Sequence, residues 1–288
     1  MTMIRCAITR FITRRRHDNS ILIGGPYSLG PDSAPQEGVP RGTVATSRWT
    51  SETIYPGTER DTWVYVPAQY DGSQAACLMV FQDGEMCLGA EINVPVVFDN
   101  LIHTGAMPVT IGLFVNPGST GPGKGADNRR FEYDSLGDQY AQFLIEELLP
   151  DLEARYSIVK DPSGRAICGI SSGGICAFTV AWERPDVFGK VVSHCGSFVD
   201  IRGGHMVPLM IRRATPKPIR VFLQTGAKDA DLICGSWPLA NHEMAAAIAY
   251  RNYDFQFVFG EGGHNLKHGG AIFPDTMRWL WRDYPKSV

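Results

Sequence analysis

Gly169-Ile170-Ser171-Ser172-Gly173 sets a serine between two glycines, and Gly174 follows at once. A serine hydroxyl attacks a carbonyl well only when a base takes its proton. The G-x-S-x-G spacing is weak alone, because glycine and serine are common. Its setting strengthens it. The apolar run RAICGI ends at the motif and the helix-like run GGICAFTVAWERP continues from it. The serine therefore falls where a buried strand turns into a helix, and small neighbours keep that tight turn free of clashes. The Ser172 N–H then lies at a helix start, where it can stabilise an anion. The rival readings are a turn without chemistry and a phosphate cradle. The Gly-Lys-Ser/Thr of a P-loop is absent.

A serine in this setting takes its acid and then its histidine from later in the chain. Of seven histidines, only His264 and His268 lie beyond a late strand, DFQFVFG, within EGGHNLKHGG. His264 comes first after the strand end and is the predicted base. His268 is the alternative base; otherwise it lines the substrate pocket or caps the last helix. The H-x-x-x-H pair lacks a neighbouring glutamate and a third ligand, so no metal is expected. IRVFLQTG runs into Ala227-Lys228-Asp229-Ala230-Asp231. Asp229 is nearer the strand end and is the predicted acid, with Asp231 as runner-up. An oxyanion needs a second donor from the loop after an early strand. CLMVFQ ends in Asp83-Gly84-Glu85, which nominates the Gly84 or Glu85 N–H. The carboxylates of Asp83 and Glu85 would oppose that anion, so they must point away or be paired. No cofactor is required.

These positions need a scaffold. CLMVFQ, VTIGLFV, RAICGI, VVSHCG, IRVFLQTG and DFQFVFG read as strands buried on both faces. Between them lie VPVVFDNLIHTG and a long amphipathic run with Tyr140, Phe143, Leu144, Leu148 and Leu152 at helical steps. SWPLANHEMAAAIAYRNY and PDTMRWLWRDY complete the helices. Alternating strands and helices imply a parallel twisted sheet with helices on both faces, and chemistry at the carboxyl ends of the strands. TVATSRWTSETI and TERDTWVYVP read as an N-terminal antiparallel hairpin at a sheet edge. Residues 24–42 are rich in Gly and Pro and read as a linker or wrapped loop. The domain reading is an extension over 1–42 and a catalytic body over 43–288.

The chain has 288 residues, a net charge of −3 and 44% hydrophobic residues. No basic face points to nucleic acid, and no apolar run is long enough for a membrane span. Seven scattered cysteines without CxxC spacing suggest small buried hydrophobes and a reducing compartment. A Cys87–Cys234 bond is an alternative for two of them. The arginine-rich start shows no signal peptide, so the expected location is cytoplasmic. Trp237 could flank an aromatic or sugar group in the pocket, or start a helix in the core. Arg130 and Glu132 could position a loop or form a structural pair. The stretch 198–218 is the candidate cap and is too short for a full lipase lid.

FQDGE, RRFEY, ELLPDLEARY, GISSGG, SHCGSF, GAKD, GSWPLAN and EGGHNLKHGG together resemble the esterase D branch of the α/β-hydrolases. That branch includes ferric enterobactin esterase and the feruloyl and acetylxylan esterases of carbohydrate esterase family 1. The likeness spans about residues 44–286. It implies the α/β-hydrolase fold, Ser171, Asp229 and His264 as a triad, and the DGE loop as part of the oxyanion hole. Cys195 stands where that pattern has serine. Members act on different esters, so the resemblance does not fix the substrate; the expected one is an acyl or hydroxycinnamoyl ester of a carbohydrate, or a small aryl ester. The alternatives are a siderophore ester and a non-catalytic member that only binds a carbohydrate or a partner.

Overall fold

The computed structural model describes residues 20–285. The arginine-rich start lies outside them. Nine strands form one sheet: β1 (Ser20–Ile23), β2 (Thr43–Thr50), β3 (Glu59–Val66), β4 (Cys77–Gln82), β5 (Thr110–Val115), β6 (Arg165–Ile170), β7 (Lys190–His194), β8 (Arg220–Lys228) and β11 (Asp254–Gly263). Two short strands, β9 (Asp231–Leu232) and β10 (Gly235–Ser236), make a separate hairpin after β8. The sheet order is β1-β11-β8-β7-β6-β4-β5-β3-β2. Neighbours from β1 to β5 pair in parallel, while β3 runs antiparallel to β5 and to β2. The edge hairpin and the parallel body match the sequence reading.

Each inner strand is apolar throughout because both of its faces are covered. In β4, Leu78 and Val80 join one core and Cys77, Met79 and Phe81 the other. The first core is closed by α4 (Gln139–Gln142), α5 (Leu149–Arg155), α6 (Ser172–Glu183), α7 (Val207–Arg213) and α8 (Trp237–Tyr250). The second is closed by α2 (Val94–His103) and α9 (Leu266–Leu280). Two short helices, α1 (Gly84–Leu88) and α3 (Arg129–Asp134), cap strand ends beside α6. The long amphipathic run is not one regular helix, because a π turn over Phe143–Leu148 separates α4 from α5. Pro150 explains it: with no N–H to donate and a ring that crowds the carbonyl four residues back, it displaces the regular ladder.

Two expectations are corrected here. The folded body reaches back before Thr43, since β1 pairs with β11 at the sheet edge. The stretch after it is fastened to the body: Asn100 Nδ2 donates to the carbonyls of Asp32 and Ala34, and Asp32 pairs with Arg278. Residues 24–42 remain loop apart from one short turn, Pro31–Ser33, and lie wrapped against the body. The last helix starts at Leu266, well before Pro274, and so includes Gly269 and Gly270. A Cβ on Gly270 would lie 1.9 Å from the Glu91 carbonyl oxygen, and one on Gly269 3.0 Å from His194 Nδ1. These glycines serve close packing, not a loop.

Candidate active site

Ser171 sits between β6 and α6 with φ 58° and ψ −123°. A non-glycine residue held there carries strain of order 1–3 kcal/mol, which the surroundings must enforce. They do so through the backbone. The Ser171 N–H donates to the His194 carbonyl, and the Ser171 carbonyl accepts from the N–H groups of Gly174, Ile175 and Ser197. A Cβ on Gly169 would fall 2.1 Å from the Gly173 carbonyl oxygen, so this turn closes only with glycine there.

His264 follows β11 directly and reaches across to the serine. Its Nε2 lies 2.8 Å from Ser171 Oγ, and its Nδ1 2.5 Å from Asp229 Oδ1. Asp229 follows β8 and is buried. Its Oδ1 also accepts from the Ala230 N–H at 2.7 Å, and Oδ2 accepts from Thr225 Oγ1 at 2.6 Å. Burial pushes this carboxyl up, but the bonds from His264, Thr225 and Ala230 outweigh it and leave it below its ordinary value. Gly226 and Gly262 let the two strand ends meet, since a Cβ on Gly226 would lie 2.2 Å from the Gly262 carbonyl oxygen. Asp231 is instead exposed on the β9–β10 hairpin.

The Ser172 N–H is the first of α6, and the Gly84 N–H the first of α1. Neither has a carbonyl one turn back to donate to. Gly84 packs so tightly on β5 that a Cβ would lie 2.6 Å from Val115 N. The Glu85 N–H is excluded as an oxyanion donor, because it already donates to Asn116 Oδ1 at 3.1 Å. Asp83 is paired with Arg129 by two bonds of 2.8 and 2.7 Å. Glu85 is exposed and accepts only a long bond from Asn116 Nδ2.

His268 does not line the site. It is fully buried on α9, stacked on Tyr27 with ring centroids 4.0 Å apart, and its Nδ1 faces Gln224 Nε2 at 2.9 Å. Trp237 starts α8 and is buried, with its ring edge-on to the His264 ring at 5.4 Å. Its Nε1 donates to Ser197 Oγ, which lies 3.3 Å from Ser171 Oγ. Glu132 pairs with Arg60 inside the core, not with Arg130. Cys87 and Cys234 are both free. Sequence reasoning missed Ser197, Thr225, Asn116 and Arg129. Asn116 and Ser197 carried a faint signal, since both come just after carboxyl ends of strands. Cys195 Sγ, Asp229 and His264 lie within 4.8 Å of one another. Burial and then the Asp229 charge push the Cys195 thiol well above its ordinary value. Among the described residues, no helix is long and apolar enough to cross a membrane.

Residues 52–271 match the profile of the Esterase family. The chain belongs to this family. This esterase is a carboxylic-ester hydrolase on the α/β-hydrolase fold. It is 22% identical to an iron(III) enterobactin esterase of Dickeya dadantii, over 97% of its own length and 66% of that protein. It superposes on the enterobactin esterase of Shigella flexneri with a TM-score of 0.72 at 19% identity, covering 89% of the esterase and 62% of that chain. A ferulic acid esterase from the anaerobic fungus Anaeromyces mucronatus gives 0.67 at 20% identity, covering 88% and 97%. The esterase therefore spans just under two thirds of these enterobactin esterases and nearly all of the fungal enzyme.

Proposed function

We propose that Ser171, His264 and Asp229 carry out ester hydrolysis by two-step acyl transfer. The observation that carries this reading is the continuous line from Ser171 Oγ to His264 Nε2 and from His264 Nδ1 to Asp229, at 2.8 and 2.5 Å. His264 takes the serine proton as Oγ bonds to the ester carbonyl carbon. Negative charge moves to the carbonyl oxygen, where the N–H groups of Ser172 and Gly84 stabilise it. His264 then gives its proton to the leaving alcohol and an acyl-serine remains. Water, deprotonated by the same imidazole, attacks that ester, and the acid leaves as Oγ regains a proton. Asp229 holds the tautomer and balances the imidazolium.

The substrate we put first is an acyl or hydroxycinnamoyl ester of a carbohydrate, or a small aryl ester. The near end-to-end match with a ferulic acid esterase supports this order, and a siderophore ester comes second. The test is hydrolysis of p-nitrophenyl acetate and butyrate, methyl ferulate, acetylated xylan and a catecholate siderophore, by wild type and Ser171→Ala. Turnover by wild type with a silent variant is expected. Equal activity in both would remove Ser171 from the reaction.

A further inference from the structure

Two carboxylates flank the start of α6, where a developing oxyanion would sit. Asp83 is buried, and its Oδ2 would lie 2.9 Å from a Cβ on Gly173. Asp134, also buried, accepts from Ser172 Oγ at 3.0 Å through Oδ2. Unpaired, such charges would cancel much of what two N–H donors offer. Arg129 answers them. Its Nε and Nη2 grip both oxygens of Asp83, and its guanidinium carbon lies 5.3 Å from the Tyr133 ring centroid. The Tyr133 hydroxyl accepts from the Asp83 N–H at 3.1 Å and lies 3.3 Å from the Val115 carbonyl oxygen. Asp83 has φ 51°, a left-handed conformation uncommon outside glycine that aspartate adopts more readily than most residues. That twist sets the direction of the next N–H, that of Gly84.

We propose that Arg129 is a positioning residue of the oxyanion hole: it cancels the Asp83 charge beside Ser172 and pins the turn that aims the Gly84 N–H. The proposal rests on the triad reading above. Its reach extends to Asp134, whose carboxyl burial pushes up while Ser172 and then Arg129 draw it back. The guanidinium fork matters as well as the charge, because it holds both Asp83 oxygens in one plane.

The experiment compares wild type, Ser171→Ala, Arg129→Gln, Arg129→Lys and Arg129→Gln/Asp83→Asn on p-nitrophenyl acetate and butyrate. In Arg129→Gln, kcat should fall about 100- to 1000-fold, in the range of a lost oxyanion donor. KM should change little, because the ground-state ester carries no such charge. Removing the Asp83 charge in the same chain should restore at least about tenfold in kcat between variants that melting curves show fully folded at the assay temperature, which separates the charge effect from a loss of fold. Arg129→Lys should fall between wild type and Arg129→Gln. Wild-type kcat in Arg129→Gln, or a double variant no faster than the single, would overturn the proposal. Should Arg129→Gln not fold, the uncharged double variant and Arg129→Lys carry the test, and a Ser171→Ala level of activity in both would overturn it. Unchanged hydrolysis by Ser171→Ala would instead sink the triad reading beneath it.

Discussion

Asp229→Asn separates the charge of the acid from its geometry. Two donors, the His264 Nδ1–H and the Ala230 N–H, converge on Oδ1, while Oδ2 accepts from the Thr225 hydroxyl. An amide NH2 at the first position would face two donors; at the second it would face a hydroxyl that can rotate to accept. The asparagine should therefore keep its oxygen on His264, and the imidazole should keep its tautomer. What is lost is the charge opposite the imidazolium. At an effective dielectric near 20, a unit pair at about 4 Å is worth about 4 kcal/mol, and the remaining neutral hydrogen bond recovers part of it. A net 3–4 kcal/mol corresponds to a fall in kcat/KM of about 10²–10³. Where the analogous change leaves the wrong tautomer, the fall is about 10⁴. Initial rates on p-nitrophenyl butyrate, with melting curves to verify folding, decide it. A loss under tenfold would refute Asp229 as the acid, and a loss of 10⁴ or more would refute the argued amide orientation.

Two further outcomes concern stability. Arg60 and Glu132 form a fully buried pair, and Glu132 also accepts from Gly118 N–H and Asn128 Nδ2. Glu132→Gln leaves the guanidinium charge without a counter-ion and should cost about 3–5 kcal/mol in urea unfolding; under 1 kcal/mol would contradict the burial argument. His194 and His268 are held neutral: burial takes His194 down to about 4, partly opposed by Gln224 and helped by His268, and burial alone takes His268 to about 4. Between that value and an unfolded pKa of about 6.5, the unfolded chain binds protons the folded chain does not. Unfolding free energy should therefore be full above about 6.5 and fall with pH towards 4, by up to about 3 kcal/mol per histidine. Urea midpoints that stay flat from pH 7 to 4.5 would refute it.

What the sequence made legible is what lies on one stretch of chain. Ser171, Asp229 and His264 each follow a buried apolar run, so the G-x-S-x-G motif, the order serine, acid, histidine and the strand ends nominated them, and the structure brings the three together. The parallel order came from the alternation of strands and helices. What stayed hidden depends on distant partners. The Glu85 N–H looked as good a donor as Gly84 until Asn116, on a separate strand end, proved to hold it. In sequence His268 reads as an alternative base, a pocket wall or a cap of the last helix, yet it is buried within α9, where Gly269 and Gly270 allow close packing on His194 and Glu91. Trp237 could have been either wall or core; its burial and its contact with the His264 ring make it a support behind the histidine. Glu132 finds Arg60 far along the chain, which no local spacing encodes.

The outermost pairing of the sheet also sets a schedule. β1 lies about 230 residues before β11, its only strand neighbour among the described residues, and Tyr27 just after it receives the Glu261 N–H beside the His264 loop. On a ribosome adding about 5–20 residues per second, that strand waits roughly 10–50 s for its partner to emerge. Long-range closure of this kind is among the slowest events in folding. The inner strands can assemble while synthesis continues. His264 follows β11 directly, so the Tyr27 clasp beside it can form only once the earliest described strand has met the latest.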